Sequence, residues 1–176
     1  YLYLGDVGDN NRVRDELRVL RLPEPQVQTD APEPLNEAVT PEVIELFFQD
    51  GIPRDSEAIF VDPLTGDIYL VIKDRDGLGI SGIFRAAAPF GSEAPAPLVE
   101  VAELIFGGDA LPGSDLATGA DISEDGEWIV IRTYSSLFLW WRNPEKTLWQ
   151  AFEHNACPSP LAHEPQGEAV GFAANG

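Results

Sequence analysis

A chain of 176 residues with 30 acidic and 11 basic side chains carries a formal net charge of −19, and 44% of it is apolar and 10% aromatic. That is enough apolar material for a buried core, and it is not the composition of a disordered segment. So acidic a surface, with Lys73 and Lys146 as its only lysines, excludes phosphate-neutralising nucleic-acid binding and attraction to anionic lipid.

The first element, Tyr1-Leu-Tyr-Leu4, reads as a strand that runs into Gly5-Asp-Val-Gly-Asp-Asn10. Asp6, Asp9 and Asn10 there supply oxygen donors, and Gly5 and Gly8 let the backbone turn tightly. The chain begins mid-strand without Met, which reads as a truncated record with any signal peptide out of view. Leu17–Leu20 and Val43–Phe48 follow as strands, separated by a proline-rich extended connection from Pro23 to Pro34. Ala58–Val61, the turn Asp62-Pro-Leu-Thr-Gly66 and Ile68–Ile72 spell strand, turn, strand. Gly82–Arg85 and Val99–Ile105 extend that set. Asp74-Arg-Asp-Gly77 has the start of a calcium loop without its later acids, and reads as a turn.

Gly119–Ile122, Ser123-Glu-Asp-Gly126 and Trp128–Ile131 repeat the pattern, with Asp125-Gly126 suited to a type I′ hairpin. Strands are expected at Ser136–Trp141 and Thr147–Phe152, and Glu168–Phe172 opens another hairpin that would turn at Asn175-Gly176. The apolar run Leu137–Trp141 is too short to span a bilayer. Trp140, Trp141 and Trp149 read as packing residues. Cys157 is the single cysteine of this sequence, read as a free core thiol or as paired with a cysteine in sequence not shown, and His154, Cys157 and His163 match no zinc spacing.

A recurring unit emerges: an acid beside small residues, a short strand, a glycine turn, then longer strands. Four antiparallel strands in units of roughly 40–60 residues predict an all-β fold, a β-propeller of four-stranded antiparallel blades. The expected domain is a single partial β-propeller over residues 1–176. Its blade remnants lie at about 1–50, 55–106, 117–153 and 166–176, about two and a half blades of roughly six when intact. The open alternative is an antiparallel sheet or sandwich with no ring.

In that geometry, loops entering first strands and leaving second strands share one channel mouth. Asp6, Asp9, Asn10, Glu57, Asp121 and Glu168 are then the expected metal ligands. Crowded carboxylates either rise in pKa or hold a cation, and a hard ion such as Ca²⁺ takes six to eight oxygens. Lys73 and Arg132 are the expected catalytic cations, placed to stabilise an anionic substrate or oxyanion while the ion activates water. The competing readings are structural: turn caps for Asp6, Asp9 and Asn10, and salt bridges to Lys73 or Arg132 for Glu57, Asp121 and Glu168.

Gly5-Asp-Val-Gly-Asp-Asn10 with Arg12, Asp55-Ser-Glu-Ala58 with Asp62-Pro-Leu-Thr-Gly66 and Lys73, Thr118–Gly126 with Arg132-Thr-Tyr134, and Gln166-Gly-Glu-Ala169 occur in that order. Together they resemble a group of uncharacterised bacterial β-propeller proteins, often exported. The group is related in shape to the NHL, TolB-like and calcium-dependent phosphotriesterase and gluconolactonase propellers. The resemblance implies an extracellular or periplasmic location. By analogy with the calcium-dependent relatives, it points to ester, lactone or phosphoester hydrolysis at a channel-mouth Ca²⁺. The rival expectation is a non-catalytic propeller that binds a protein, peptide or glycan, with no nucleic acid and no membrane insertion.

Overall fold

The structure is a computed structural model, and it describes residues 1–25, 38–91, 94–106, 115–159, 161, 164 and 166–173. Its regular elements are almost all strands: β1 (Leu2–Asp6), β2 (Leu17–Leu22), β3 (Glu42–Phe48), β4 (Ser56–Val61), β5 (Ile68–Ile72), β6 (Ser81–Ala86) and β7 (Ala96–Leu104) come first. β8 (Ala117–Ile122), β9 (Trp128–Thr133), β10 (Leu137–Trp141) and β11 (Cys157–Ser159) follow, with one 3₁₀ helix, Leu148–Glu153, before β11. Among the described residues no helix is long and apolar enough to cross a membrane.

The strands do not form separate four-stranded blades, so the propeller expectation is corrected. β3 and β7 hydrogen-bond in parallel at Leu46↔Ala96, Phe47↔Pro97 and Phe48↔Leu98. This junction fuses what would have been two units into one seven-stranded mixed sheet, ordered β1-β2-β3-β7-β6-β5-β4. The cause lies in the strand edges. β3 and β7 each end an antiparallel run with an open edge, and an open row of N–H and C=O groups pairs with whatever strand lies beside it. The sheet curls until it nearly closes: Gly5 of β1 lies where a Cβ would meet the Ile59 side chain of β4 at 3.4 Å. A second sheet runs β11-β10-β9-β8, and β4 and β8 lie side by side where the two sheets meet.

β5 explains how one sheet serves two cores. Its continuous apolar run is buried on both faces, the pattern of an interior strand. Tyr69 and Val71 face a core with Phe60, Ile83, Ile129, Ile131, Trp140 and Phe152. Ile68, Leu70 and Ile72 face the other, with Val19, Ile44, Leu46, Phe48 and Phe84.

Three local expectations change. Thr147–Phe152 is the capped 3₁₀ helix rather than a strand. Gln150 Oε1 accepts from the Thr147 N–H at 3.3 Å and its hydroxyl at 3.0 Å, and Leu148, Ala151 and Phe152 are buried. β11, starting at the exposed Cys157, takes its place beside β10. The Ser123–Gly126 turn is not type I′, because Gly126 alone has positive φ (74°) and Asp125 does not. The Gly126 N–H bonds Ser123 O at 2.8 Å, as in a type I turn followed by a left-handed glycine. Glu168–Phe172 forms no strand ladder, and Asn175-Gly176 lies outside the described residues.

The loop after β3 is held by Asp50, which takes the Arg54 Nη1 and Nη2 groups at 2.8 and 2.6 Å. Arg54 itself lies over the rings of Phe48 and Phe84. This guanidinium lowers the Asp50 carboxyl from 3.8 to about 2. A folded-state pKa below the unfolded one stabilises above the unfolded value and is lost as pH falls through the folded one. The stability difference between the wild type and Asp50→Asn should therefore be constant above about pH 5 and shrink as pH falls toward about 2. Urea titrations of both proteins across that range check it, and a pH-independent difference would contradict it.

Candidate functional site

The loop that leaves β1 is organised by Asp9. Its Oδ2 accepts the Val13 and Arg14 N–H groups at 2.6 and 2.7 Å, and Arg12 closes the turn onto Asp9 O at 2.9 Å. Arg12 takes φ 53°, the only positive φ among described non-glycine residues. The Asp9 N–H donates to Asp55 Oδ1 at 2.7 Å, which ties this loop to the residue before β4. Asp6 is engaged by Arg14 at 2.9 and 3.0 Å, and that guanidinium lowers its carboxyl from the ordinary value.

Asp55 is buried, and its Oδ2 accepts from Arg75 Nε at 2.7 Å. Arg75 also reaches the side-chain oxygen of Asn10 and lies 3.8 Å from Glu57 Oε1. Glu57 is aimed by a bulge: the β4–β5 register shifts between Ser56 and Ala58. A bulge re-aims the extra side chain out of the alternation. Glu57 Oε2 then receives Lys73 Nζ at 2.5 Å. Lys73 donates a second bond to the Tyr134 hydroxyl at 2.8 Å and lies 4.7 Å from the centre of that ring. A continuous polar chain thus runs from the end of β1, past the start of β4, to the end of β9.

Arg132 stands apart from this chain. The β8–β9 register also shifts, between Ala117 and Gly119, and the bulged Thr118 donates to Gly167 O at 2.8 Å. Arg132 donates to Glu164 Oε2 at 2.5 Å and to Ala169 O at 3.1 Å. The Phe172 N–H donates to Asp121 Oδ2 at 2.7 Å. These bonds strap Glu164 and residues 166–173 against β8 and β9. Glu168 accepts from Gln166 at 2.8 Å.

The expected ligands are therefore not gathered. Asp6, Asp9, Asn10 and Glu57 share one end of the fold, each already engaged by arginine, lysine or backbone N–H. Asp121 lies farther along β8, in a cleft of about 570 Å³ shared with Tyr1, Tyr3, Phe60 and Gly66. Glu168 lies on the strap. Among the described residues no group of three His, Cys, Asp or Glu side chains is placed to hold a metal, and His163 lies outside them. A Ca²⁺ site needs several oxygens turned to one point, whereas Asp6, Asp9, Asn10 and Glu57 face arginine, lysine or backbone N–H groups. The expected catalytic pair is enclosed too, with the Lys73 and Arg132 side chains 1% and 6% exposed.

Asp74 caps its own turn by accepting the Asp76 and Gly79 N–H groups at 3.1 and 2.5 Å, in line with the turn reading. Asp55, Arg75 and Tyr134 are the network members that sequence reasoning gave no role. The two acids flanking Ser56 were the available signal, since Ser56 turns inward to Val71 O at 2.9 Å. Comparison with protein-family models, with curated proteins and with solved structures gives no match.

Proposed function

We propose that this chain is a non-catalytic binding module, in which the acids and bases of the candidate site are framework rather than reaction machinery. The observation that carries this reading is Lys73. Its ammonium is enclosed and divided between Glu57 and Tyr134, so it has no open face to offer an oxyanion. The acids beside it are occupied in the same way. A protein, peptide or glycan held on the surface needs none of these groups to be free.

The test is the melting temperature in EDTA and then in millimolar Ca²⁺, alongside turnover of an ester and lactone panel. The expected result is no Ca²⁺-specific rise and no turnover. Glu57→Ala should cost roughly 1–3 kcal/mol, the desolvation cost of a charged donor left without its partner. A Ca²⁺-specific rise that is lost in Asp9→Ala or Glu57→Ala would instead make these acids an ion site and overturn the reading.

A further inference from the structure

A cleft of about 310 Å³ opens beside β6, lined by Ile52, Arg54, Leu78, Ile80, Gly82, Phe84, Glu100 and Glu103 among others. Its rim is apolar and unusually bare: Leu78, Ile52 and Ile80 are 73%, 56% and 42% exposed. Its charge is unbalanced. The cations around it are committed elsewhere, Arg12 to Asp76, Arg54 to Asp50, Arg75 to Asp55 and Lys73 to Glu57. Glu100 and Glu103 have no hydrogen-bond or ion-pair partner among the described residues.

The fold itself brings these two carboxylates together. The β6–β7 register shifts between Ile83 and Phe84, so that Glu103 lies opposite Gly82 and Glu100 opposite Phe84. The two acids therefore share a face despite their odd spacing. Gly82 makes the room: a Cβ there would sit 2.6 Å from Glu100 Oε1. Burial, and then the charge of Glu103, push the Glu100 carboxyl above its ordinary value, against the opposing pull of Arg54, which is itself hydrogen-bonded to Asp50. A cation arriving between the two would offset the repulsion that Glu103 exerts on Glu100.

We propose that this cleft docks a protein segment presenting a lysine or arginine beside a bulky apolar residue. The basic group sits between Glu100 and Glu103 over Gly82, and the apolar neighbour covers Leu78, Ile80 and Ile52. Charge complementarity selects this occupant. The net charge of −19 attracts basic chains and repels acidic ones, and a bare inorganic cation would leave the apolar rim uncovered. The inference rests on the binding-module reading and gives that module a partner class.

The experiment uses fluorescein-labelled decapeptides carrying Lys or Arg beside Leu or Phe, titrated by fluorescence anisotropy against the full chain at near-physiological salt. One control set replaces the basic residue by Glu and another replaces the apolar residue by Ser. The expected result is binding of the basic–apolar peptides above both controls. The Glu100→Gln/Glu103→Gln double variant should weaken it by about tenfold, and Leu78→Ser/Ile80→Ser severalfold. Circular dichroism and urea melts confirm that the variants stay folded. No binding overturns the proposal, as does binding unchanged in the glutamine variant, which would be diffuse attraction alone. Loss in the glutamine variant without loss in the serine variant also overturns it, as a simple cation site. Failure here leaves the Ca²⁺ response unchanged, whereas failure of the binding-module reading appears in that response, so the two are separable.

Discussion

Asp62→Ala is expected to destabilise the protein by about 3–5 kcal/mol, because it leaves a buried guanidinium without its counter-charge. Asp62 follows β4 in the seven-stranded sheet and Arg142 follows β10 in the other. They meet at 2.7 Å with side chains 1% and 3% exposed. Asp62 also organises its turn, accepting the Leu64 N–H at 3.0 Å and the Thr65 hydroxyl at 2.9 Å. Arg142 Nε has no partner among the described residues, so the pair carries a desolvation cost there even when intact. The double variant Asp62→Ala/Arg142→Met should consequently cost less than the sum of the single variants, with a coupling of roughly 0.5–3 kcal/mol. Urea denaturation of the four proteins measures this directly. Additive losses would show that the two side chains are held independently.

The second large effect is expected at Gly167. Arg132 lies flat against its backbone, and a Cβ there would fall far inside van der Waals contact with the guanidinium. Gly167→Ala must therefore push Arg132 off Glu164 and Ala169 O or lift the strap from β8. The cost should reach the upper part of the roughly 1–3 kcal/mol range for overpacking. Limited proteolysis supplies a second readout, since cleavage within 164–173 should rise sharply in Gly167→Ala and only slightly in Glu164→Gln. Unchanged stability together with unchanged cleavage would mean that the strap is not held through Arg132.

Local order was legible in the sequence, and partnership was not. Ile68–Ile72 announced a strand, and Asp62–Gly66 announced its turn; that the strand is buried on both faces came from the fold. Thr147–Phe152 misled because Leu148, Trp149 and Phe152 suit a strand as well as a 3₁₀ helix that buries Leu148, Ala151 and Phe152. The fusion through β3 and β7 left no trace, since an edge strand and an interior strand share one alternation. The acids stood out in the sequence as a set, but Asp121 and Glu168 lie apart from the others, and the contacts of Asp9, Glu57 and Asp121 include groups far along the chain. Asp9 meets Asp55 across 46 positions, and Asp62 meets Arg142 across 80. A bulge at Glu57 or Thr118 is likewise invisible, because a single extra residue leaves composition and spacing intact.

The parallel junction between β3 and β7 has a consequence for how the chain folds. Every other ladder joins strands that are neighbours in sequence. Each of these closes a shorter loop than the β3–β7 ladder does and so forms at a lower entropic cost. The β3–β7 contact must close a loop containing all of β4, β5 and β6, an entropic cost met by only a short run of pairs. Pro97 sits inside that run and has no N–H to donate. The hairpin ribbons on either side therefore form before the junction does, and it is the first ladder to part when the native state opens sub-globally. The large sheet is expected to open first at Leu46–Phe48, where its two ribbons part at the ladder while both still pack into the core shared by Ile44, Leu46 and Leu70.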